Sequence, residues 1–241
     1  MTKTLIITGA SSGIGLAIAK RFEAANYAVH NLDICKGDIG HYHCCDVTQA
    51  DQVQACISAI ASERSIDVLI SNAGMHFSAS IENTSESDFT KVFNLNVKGA
   101  YLVTQAVLPY MKQQQNGVIL YIGSDQSTVG KSNSFIYNIS KHALASMAKT
   151  TALDYASFNI RANTLCPGTI ETPLYHKAIN AYCEKSGADP ILVHAQEAAL
   201  QPLKRIGQPD DVAAMALFLA SNDAAFITGS LQAIDGGYTT G

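Results

Sequence analysis

The sequence has no block of basic residues: sixteen Lys and Arg are scattered against twenty Asp and Glu, for a net charge of −4. Nucleic acid and an anionic membrane surface are therefore not expected as main partners. No apolar run approaches the ~20 residues that a helix needs to span a bilayer. The six cysteines, Cys35, Cys44, Cys45, Cys56, Cys166 and Cys183, show no CxxC spacing, and adjacent Cys44 and Cys45 could pair only with strain. "MTK" leads straight into "TLIIT", which leaves no room for a signal peptide, so a cytoplasmic protein is expected. Linkers, repeats and low-complexity tracts are also missing, and residues 1–241 are expected to form one domain.

What is present is apolar sequence in short, regularly spaced runs. Hydrophobic residues make up 47% and charged residues 15%, enough for a sizeable core. "TLIITGA", "AVHNLD", "HYHCCD", "DVLISNAG", "GVILYIGS", "IRANTLCPG" and "SLQAID" read as strands. Between them, helices are expected at about Gly13 to Ala25, Gln49 to Ser62, Glu86 to Lys112 and Phe135 to Phe158. A segment at about 172–207 is helical in parts but broken by Gly187 and Pro190. The last helix lies in "QPDDVAAMALFLAS", with Pro209 near its start and two aspartates in its first turn. This alternation implies an α/β fold with a parallel sheet covered on both faces. Ligands bind such sheets beyond the carboxyl ends of the strands, and the candidate motifs all fall there or on the following helix.

"TGASSGIG" places Gly9, Gly13 and Gly15 between the first strand and the first helix. Glycines there let the backbone approach a pyrophosphate, and the helix start offers unpaired N–H groups. Asp33 ends the second strand eighteen residues beyond Gly15, where an acid accepts hydrogen bonds from adenosine ribose and repels a 2′-phosphate. Asp46, at the end of the third strand, is placed to meet the adenine amino group. "HYHCCD" crowds histidines, cysteines and an aspartate, but neighbouring strand residues point to opposite faces and cannot all converge on one ion, so no metal is expected. In "YNISK", Tyr137 and Lys141 share one helix face, one turn apart. A phenol titrates near ~10, too high for a base at neutral pH. A lysine at roughly 5 Å would favour the phenolate by about 3 kcal/mol, or about two pK units, at an effective dielectric of about 20.

Taken together these motifs resemble a short-chain dehydrogenase/reductase of the compact type over nearly the whole chain. "TGASSGIG" is similar to that family's cofactor turn, "SNAG" (71–74) to its Asn-Asn-Ala-Gly, and "NVKG" (96–99) to its catalytic-asparagine segment. Ser124, Tyr137 and Lys141 have the family's catalytic spacing, "PGTIET" (167–172) resembles its nicotinamide segment, and "DGG" (235–237) its C-terminal signature. The resemblance implies a single Rossmann-type, doubly wound domain with a seven-stranded parallel sheet and NAD as cofactor. It implies that Tyr137 is the acid/base, that Ser124 holds the reacting oxygen, and that Lys141 binds the nicotinamide ribose while depressing the tyrosine pKa. Asn96 would hold a water that relays protons to Lys141, and Thr172 would contact the carboxamide. The cofactor would lie against Gly9, Ser11, Ser12, Gly13, Ile14 and Gly15, then Asp33, Asp46 and Val47. Asn72, Ala73 and Gly74 would line the groove, with Tyr137, Lys141, Pro167, Gly168, Ile170 and Thr172 around the nicotinamide.

The sequence departs from the family pattern at Ser71, where asparagine is usual, and at Asp125 and Gln126, where small residues are frequent. The second departure points to a small polar substrate (a sugar, polyol or hydroxy acid) held by Ser124, Gln126 and Tyr137. Asp125, Lys131, Asn133, Glu171 and His176 are further polar candidates around it, and the segment at about 172–207 would cover it. The sequence looks most like aldose 1-dehydrogenases and related polyol or hydroxy-acid enzymes. A 3-oxoacyl carrier-protein reductase is the chief alternative, disfavoured by Asp33 and the net charge. A catalytically silent NAD-binding regulator is a second, and it would lack a catalytic residue. An epimerase or dehydratase of the extended family would need a larger C-terminal domain. Val97, Tyr101, Val103, Leu144 and Met147 fall on more than one stripe of their helices, so a partner surface is expected, and with the family resemblance favouring assembly a homotetramer is expected.

Overall fold

In the computed structural model, which describes residues 2–240, the seven expected strands form one parallel sheet. They are β1 (Thr4–Thr8), β2 (Ala28–Asp33), β3 (His41–Cys44), β4 (Val68–Ser71), β5 (Gly117–Ile122), β6 (Ile160–Pro167) and β7 (Leu231–Ile234), in the order β3-β2-β1-β4-β5-β6-β7. The central strands are buried along their whole length, which is why β1, β4 and β5 read as unbroken apolar runs. Leu5 stands opposite Val29 on one side and Val68 on the other, so β1 is the strand from which the order runs both ways. Chain crossings leave in opposite directions there, and a crevice opens at the carboxyl ends of β1 and β4.

Successive residues of β1 feed two separate cores. Ile6 packs on the side of α2 (Ala50–Glu63), α4 (Gly99–Gln114) and α5 (Phe135–Tyr155), with Val53, Val103, Met111 and Leu144. Leu5 and Ile7 pack on the side of α1 (Gly13–Ala24) and α8 (Pro209–Ala220), with Ile18, Phe22, Val212 and Leu219. This is the doubly wound Rossmann arrangement.

Three expectations are corrected. The helix expected from Glu86 to Lys112 is α3 (Glu86–Phe93) and α4 joined by a π-helical turn, Asn94–Lys98. Such a turn inserts one extra residue per turn, and here it carries Asn96 inward. The helix expected to reach Phe158 ends at Tyr155 and closes with a 3-10 turn, Ala156–Phe158. Val97, Val103 and Leu144 do not form an outer stripe, because all three are buried within this chain; Tyr101 alone of the five is exposed. The covering segment consists of α6 (Pro173–Ser186) and α7 (Pro190–Leu200), parted at Gly187 (φ +73). Among the described residues no helix is long and apolar enough to cross a membrane.

Candidate active site

The carboxyl ends of β1, β4, β5 and β6 border a cleft of about 890 Å³, roofed on one side by α6 and α7. At its floor the turn from β1 into α1 uses glycine for steric reasons. Gly9 and Gly13 have φ of +69 and +56, in the left-handed region. A Cβ on Gly15 would lie 2.4 Å from the Gly9 carbonyl oxygen and 2.6 Å from Asn72 Nδ2. Ser12 makes no side-chain cap on α1, so first-turn N–H groups of that helix are left for another acceptor. A close backbone cradle with free donors fits the diphosphate of a dinucleotide.

Asn72 ties this turn to the neighbouring strand. Its Nδ2 donates to Thr8 O and Gly9 O, each at 2.9 Å, while the Asn72 and Ala73 N–H groups donate to Thr8 Oγ1 at 3.0 and 2.9 Å. Ser71 is the buried last residue of β4 and takes no part, so the departure there leaves the contacts intact.

Asp33 sits at the cleft edge with Oδ2 accepting from Ser11 N (3.1 Å) and Oδ1 from Cys35 N (3.0 Å). Both oxygens keep a lone pair for a ribose diol. Ser11 itself does not line the cleft; its hydroxyl donates to Cys35 O at 2.6 Å and braces Asp33 from behind. Asp46 lines the cleft with Val47, and hydrogen bonds from Thr48 N and Oγ1 to its Oδ1 hold its carboxyl below the usual range.

At the other end, α5 brings Tyr137 and Lys141 to the cleft one turn apart, facing Ser124 just beyond β5. Lys141 is 6% exposed, and its Nζ donates to Ile122 O at 2.8 Å and lies 5.4 Å from the Tyr137 ring centroid. Burial lowers its pKa to about 8. Burial first, and the Asp125 carboxylate after it, push Tyr137 up to about 12, against a lowering hydrogen bond from Ser124.

Asn96 does not line the cleft. It is buried behind it, with Oδ1 accepting from Met75 N (2.8 Å) and Nδ2 donating to Met75 O and Ser140 Oγ (each 3.0 Å). Both side-chain hydrogens are engaged, so a relay water would have to use main-chain atoms or the remaining Oδ1 lone pair.

Gln126 lies in the cleft wall, 5% exposed, as expected of the first turn after Ser124. Asp125 and Lys131 line the cleft too, whereas Asn133, Glu171 and His176 do not; Glu171 faces His176 at 3.5 Å outside it. Pro167, Gly168, Ile170 and Thr172 line it as expected. Sequence reasoning missed His76, whose ring stands edge-on to Tyr137 with centroids 4.8 Å apart. Its pKa is lowered by burial and by Lys131 and Lys141. It also missed Tyr175 and Glu197, which reach the cleft from α6 and α7. His76 follows Gly74 by two residues and could have been flagged by that spacing; Glu197 carried no local signal.

Residues 9–239 match a family model described as enoyl-(acyl carrier protein) reductase. The chain is 35% identical to a 3-oxoacyl-[acyl-carrier-protein] reductase of Thermotoga maritima, over 98% of this chain and 97% of the relative. It is 32% identical to a D-beta-hydroxybutyrate dehydrogenase of Cupriavidus necator, over 98% and 97%. A solved structure of Thermoplasma acidophilum aldohexose dehydrogenase in ligand-free form superposes with a TM-score of 0.93 at 38% identity, covering 100% of this chain and 95% of that one. The chain belongs to the short-chain dehydrogenase/reductase family. As a short-chain dehydrogenase/reductase it is an oxidoreductase acting on CH–OH groups, and the family binds a nicotinamide cofactor.

Proposed function

We propose that this enzyme uses NAD to interconvert a hydroxyl and a carbonyl on a small polar substrate: a sugar, a polyol or a hydroxy acid. The observation that carries the reading is the wall beside Ser124, where Asp125 and Gln126 are buried and His76 meets the Tyr137 ring. A lipophilic substrate would leave such groups without partners at about 1–3 kcal/mol each, whereas a polyhydroxylated one gives them partners. Support for NAD comes from Asp33, whose charge and bulk oppose a 2′-phosphate.

When bound, the nicotinamide supplies the hydride acceptor or donor. Tyr137 takes the proton from the substrate hydroxyl in oxidation and returns it to the carbonyl oxygen in reduction. Ser124 holds that oxygen, and Lys141 carries a proton toward the backbone around Asn96. The α6–α7 segment closes over the substrate and excludes water, with Tyr175 and Glu197 already facing the cleft. The enzyme works in the cytoplasm.

A second reading, reduction of 3-oxoacyl groups on a carrier protein, draws on the 35%-identical relative. Asp33 and the net charge of −4, a poor match for an acidic carrier, favour the first. A silent NAD-binding regulator is disfavoured because Asn96, Ser124, Tyr137 and Lys141 are all present. The test compares catalytic efficiency on aldoses, polyols and short hydroxy acids with that on medium-chain secondary alcohols and 3-oxoacyl thioesters. Preference for the polar set is expected, with loss in Gln126→Ala; preference for the lipophilic set overturns the reading.

A further inference from the structure

The cleft wall around Ser124 and Tyr137 holds hydrogen-bond donors that have no acceptor. Gln126 lines it and is 5% exposed. Its carbonyl end is turned away from the cleft: Asn138 Nδ2 donates to Gln126 Oε1 over a long 3.5 Å, and is held in place by a shorter bond to Val129 O at 2.9 Å. The Gln126 amide nitrogen is left over. It has no acceptor among the described residues, yet it is not one of the polar atoms sealed in without a partner, so it opens on the cleft. His76 stands edge-on to Tyr137 in the same cleft, and the histidine rings that make hydrogen bonds among the described residues are those of His30, His43, His142 and His194. Lys131 lines the cleft as well, is exposed, and takes part in none of the ion pairs of the described residues.

We propose that the substrate is a short hydroxy acid, or its oxo acid in the reverse direction, and that Lys131, with Gln126 Nε2 and an N–H of His76, holds its carboxylate beside Tyr137. The inference rests on the small polar substrate proposed above and narrows it. An amide N–H, an imidazole N–H and an ammonium are all donors, and a carboxylate is the partner that only accepts; a neutral hydroxyl would bring a hydrogen of its own to a wall that needs acceptors. Burial, then Lys131 and then Lys141, disfavour a charge on His76, so both cations are close to that ring. Lys141 is committed to Ile122 O, which leaves Lys131 for a ligand. The carboxylates of this end of the cleft do not take it. Asp125 Oδ1 accepts from Ser124 Oγ and from Gln126 N at 2.8 Å, within its own 3-10 turn. Glu197 stands on α7 beside Tyr175, whose pKa is raised by burial and then by Glu197. Gln126 is two residues from Ser124, and His76 touches the Tyr137 ring, so the carboxylate lies a few bonds from the reacting carbon. A phosphate dianion fits less well, because Asp125 and Glu197 share the cleft with it.

The test compares short hydroxy acids with their methyl esters and with neutral diols of the same chain length, so that the reacting carbon stays and the charge goes. In the native enzyme kcat/KM for the acid is expected to exceed that for its ester and its diol by at least about tenfold. Lys131→Met, an exposed position where the fold is not at risk, is expected to cut that ratio by about tenfold, through KM rather than kcat. Lys131→Arg, which keeps the charge, should restore most of it. Gln126→Glu sets a carboxylate against the substrate's own and should lower efficiency on the acid further than on the ester. Butyrate, which has the carboxylate and no hydroxyl, is expected to compete with the substrate in the native enzyme and less well in Lys131→Met. Esters turned over as well as their acids overturn the inference, as does an equal loss on acid and ester in Lys131→Met, the mark of a merely structural residue. Preference for neutral sugars or diols, or for sugar phosphates, overturns it and leaves the polar-substrate reading standing. Preference for medium-chain secondary alcohols overturns that reading itself.

Discussion

A phenol held at about 12 is an acid in its resting state, and the chemistry assigned to Tyr137 depends on its single oxygen. Tyr137→Phe keeps the ring against His76 and removes that oxygen. Turnover is expected to fall by at least ~10²-fold while NAD affinity, measured by calorimetry, stays within a few-fold. Near-normal turnover would show that another group moves the proton. At the same scale, the proposed use of NAD rests on Asp33. NAD should give the higher kcat/KM, and Asp33→Ala should narrow the gap by raising efficiency with NADP. An unchanged ratio in that variant would remove the basis for the assignment, because Asp33 is the acid that the cleft places at the end of β2. The places of these residues in the cleft were legible in the sequence because each depends on a residue type at a fixed distance from a strand end. What could not be read was the balance of forces on Tyr137. Spacing gives the Lys141 charge its place, but not the water lost around the phenol or the direction of the Asp125 carboxylate.

At the scale of elements, the same limit shows in the joint between α3 and α4. Every residue there suits a helix, so the pattern reads as one run, and only packing of Asn96 against Met75 and Ser140 exposes the π turn. Edge strand β3 shows a consequence that no motif carries. His41 and His43 pair with His30 and Leu32 of β2, and the three imidazoles gather on one face of the sheet. His30 is 5% exposed, with Nδ1 3.0 Å from His43 Nε2. Burial, then the neighbouring histidines and Arg64, lower its pKa to about 4 from 6.5. In that window the unfolded chain binds the proton and the folded one does not, so folded stability rises with pH between about 4 and 6.5 and is lost on acidification. The full shift corresponds to up to about 3 kcal/mol. His30→Leu, which removes the titrating group at similar bulk, should flatten the fall in urea midpoint between pH 6.5 and pH 4. An equally steep fall in that variant would place the acid sensitivity elsewhere.

For the whole molecule, the outer surface poses the question that the core has answered. With Val97, Val103 and Leu144 buried inside the chain, the case for assembly passes to the apolar side chains left outside. They lie on both layers of helices. Tyr101 (47% exposed) and Leu153 (80%) belong to α4 and α5, while Phe218 (42%) and Phe226 (104%) belong to α8 and the turn after it. Large apolar groups open to water on two sides of one chain are expected to be covered, and in a homo-oligomer each patch meets its own copy across a two-fold axis. Two such axes from two separate patches generate a tetramer of dihedral symmetry, whereas one patch alone would stop at a dimer. Light scattering at micromolar concentration is expected to give four times the chain mass of 25.6 kDa. Leu153→Glu, a charge in the middle of one patch, should reduce the assembly to dimers while leaving the fold intact by circular dichroism, because the native side chain makes little contact within its own chain. A monomer in the native protein would refute the assembly, and a Leu153→Glu tetramer would remove the α5 face from it.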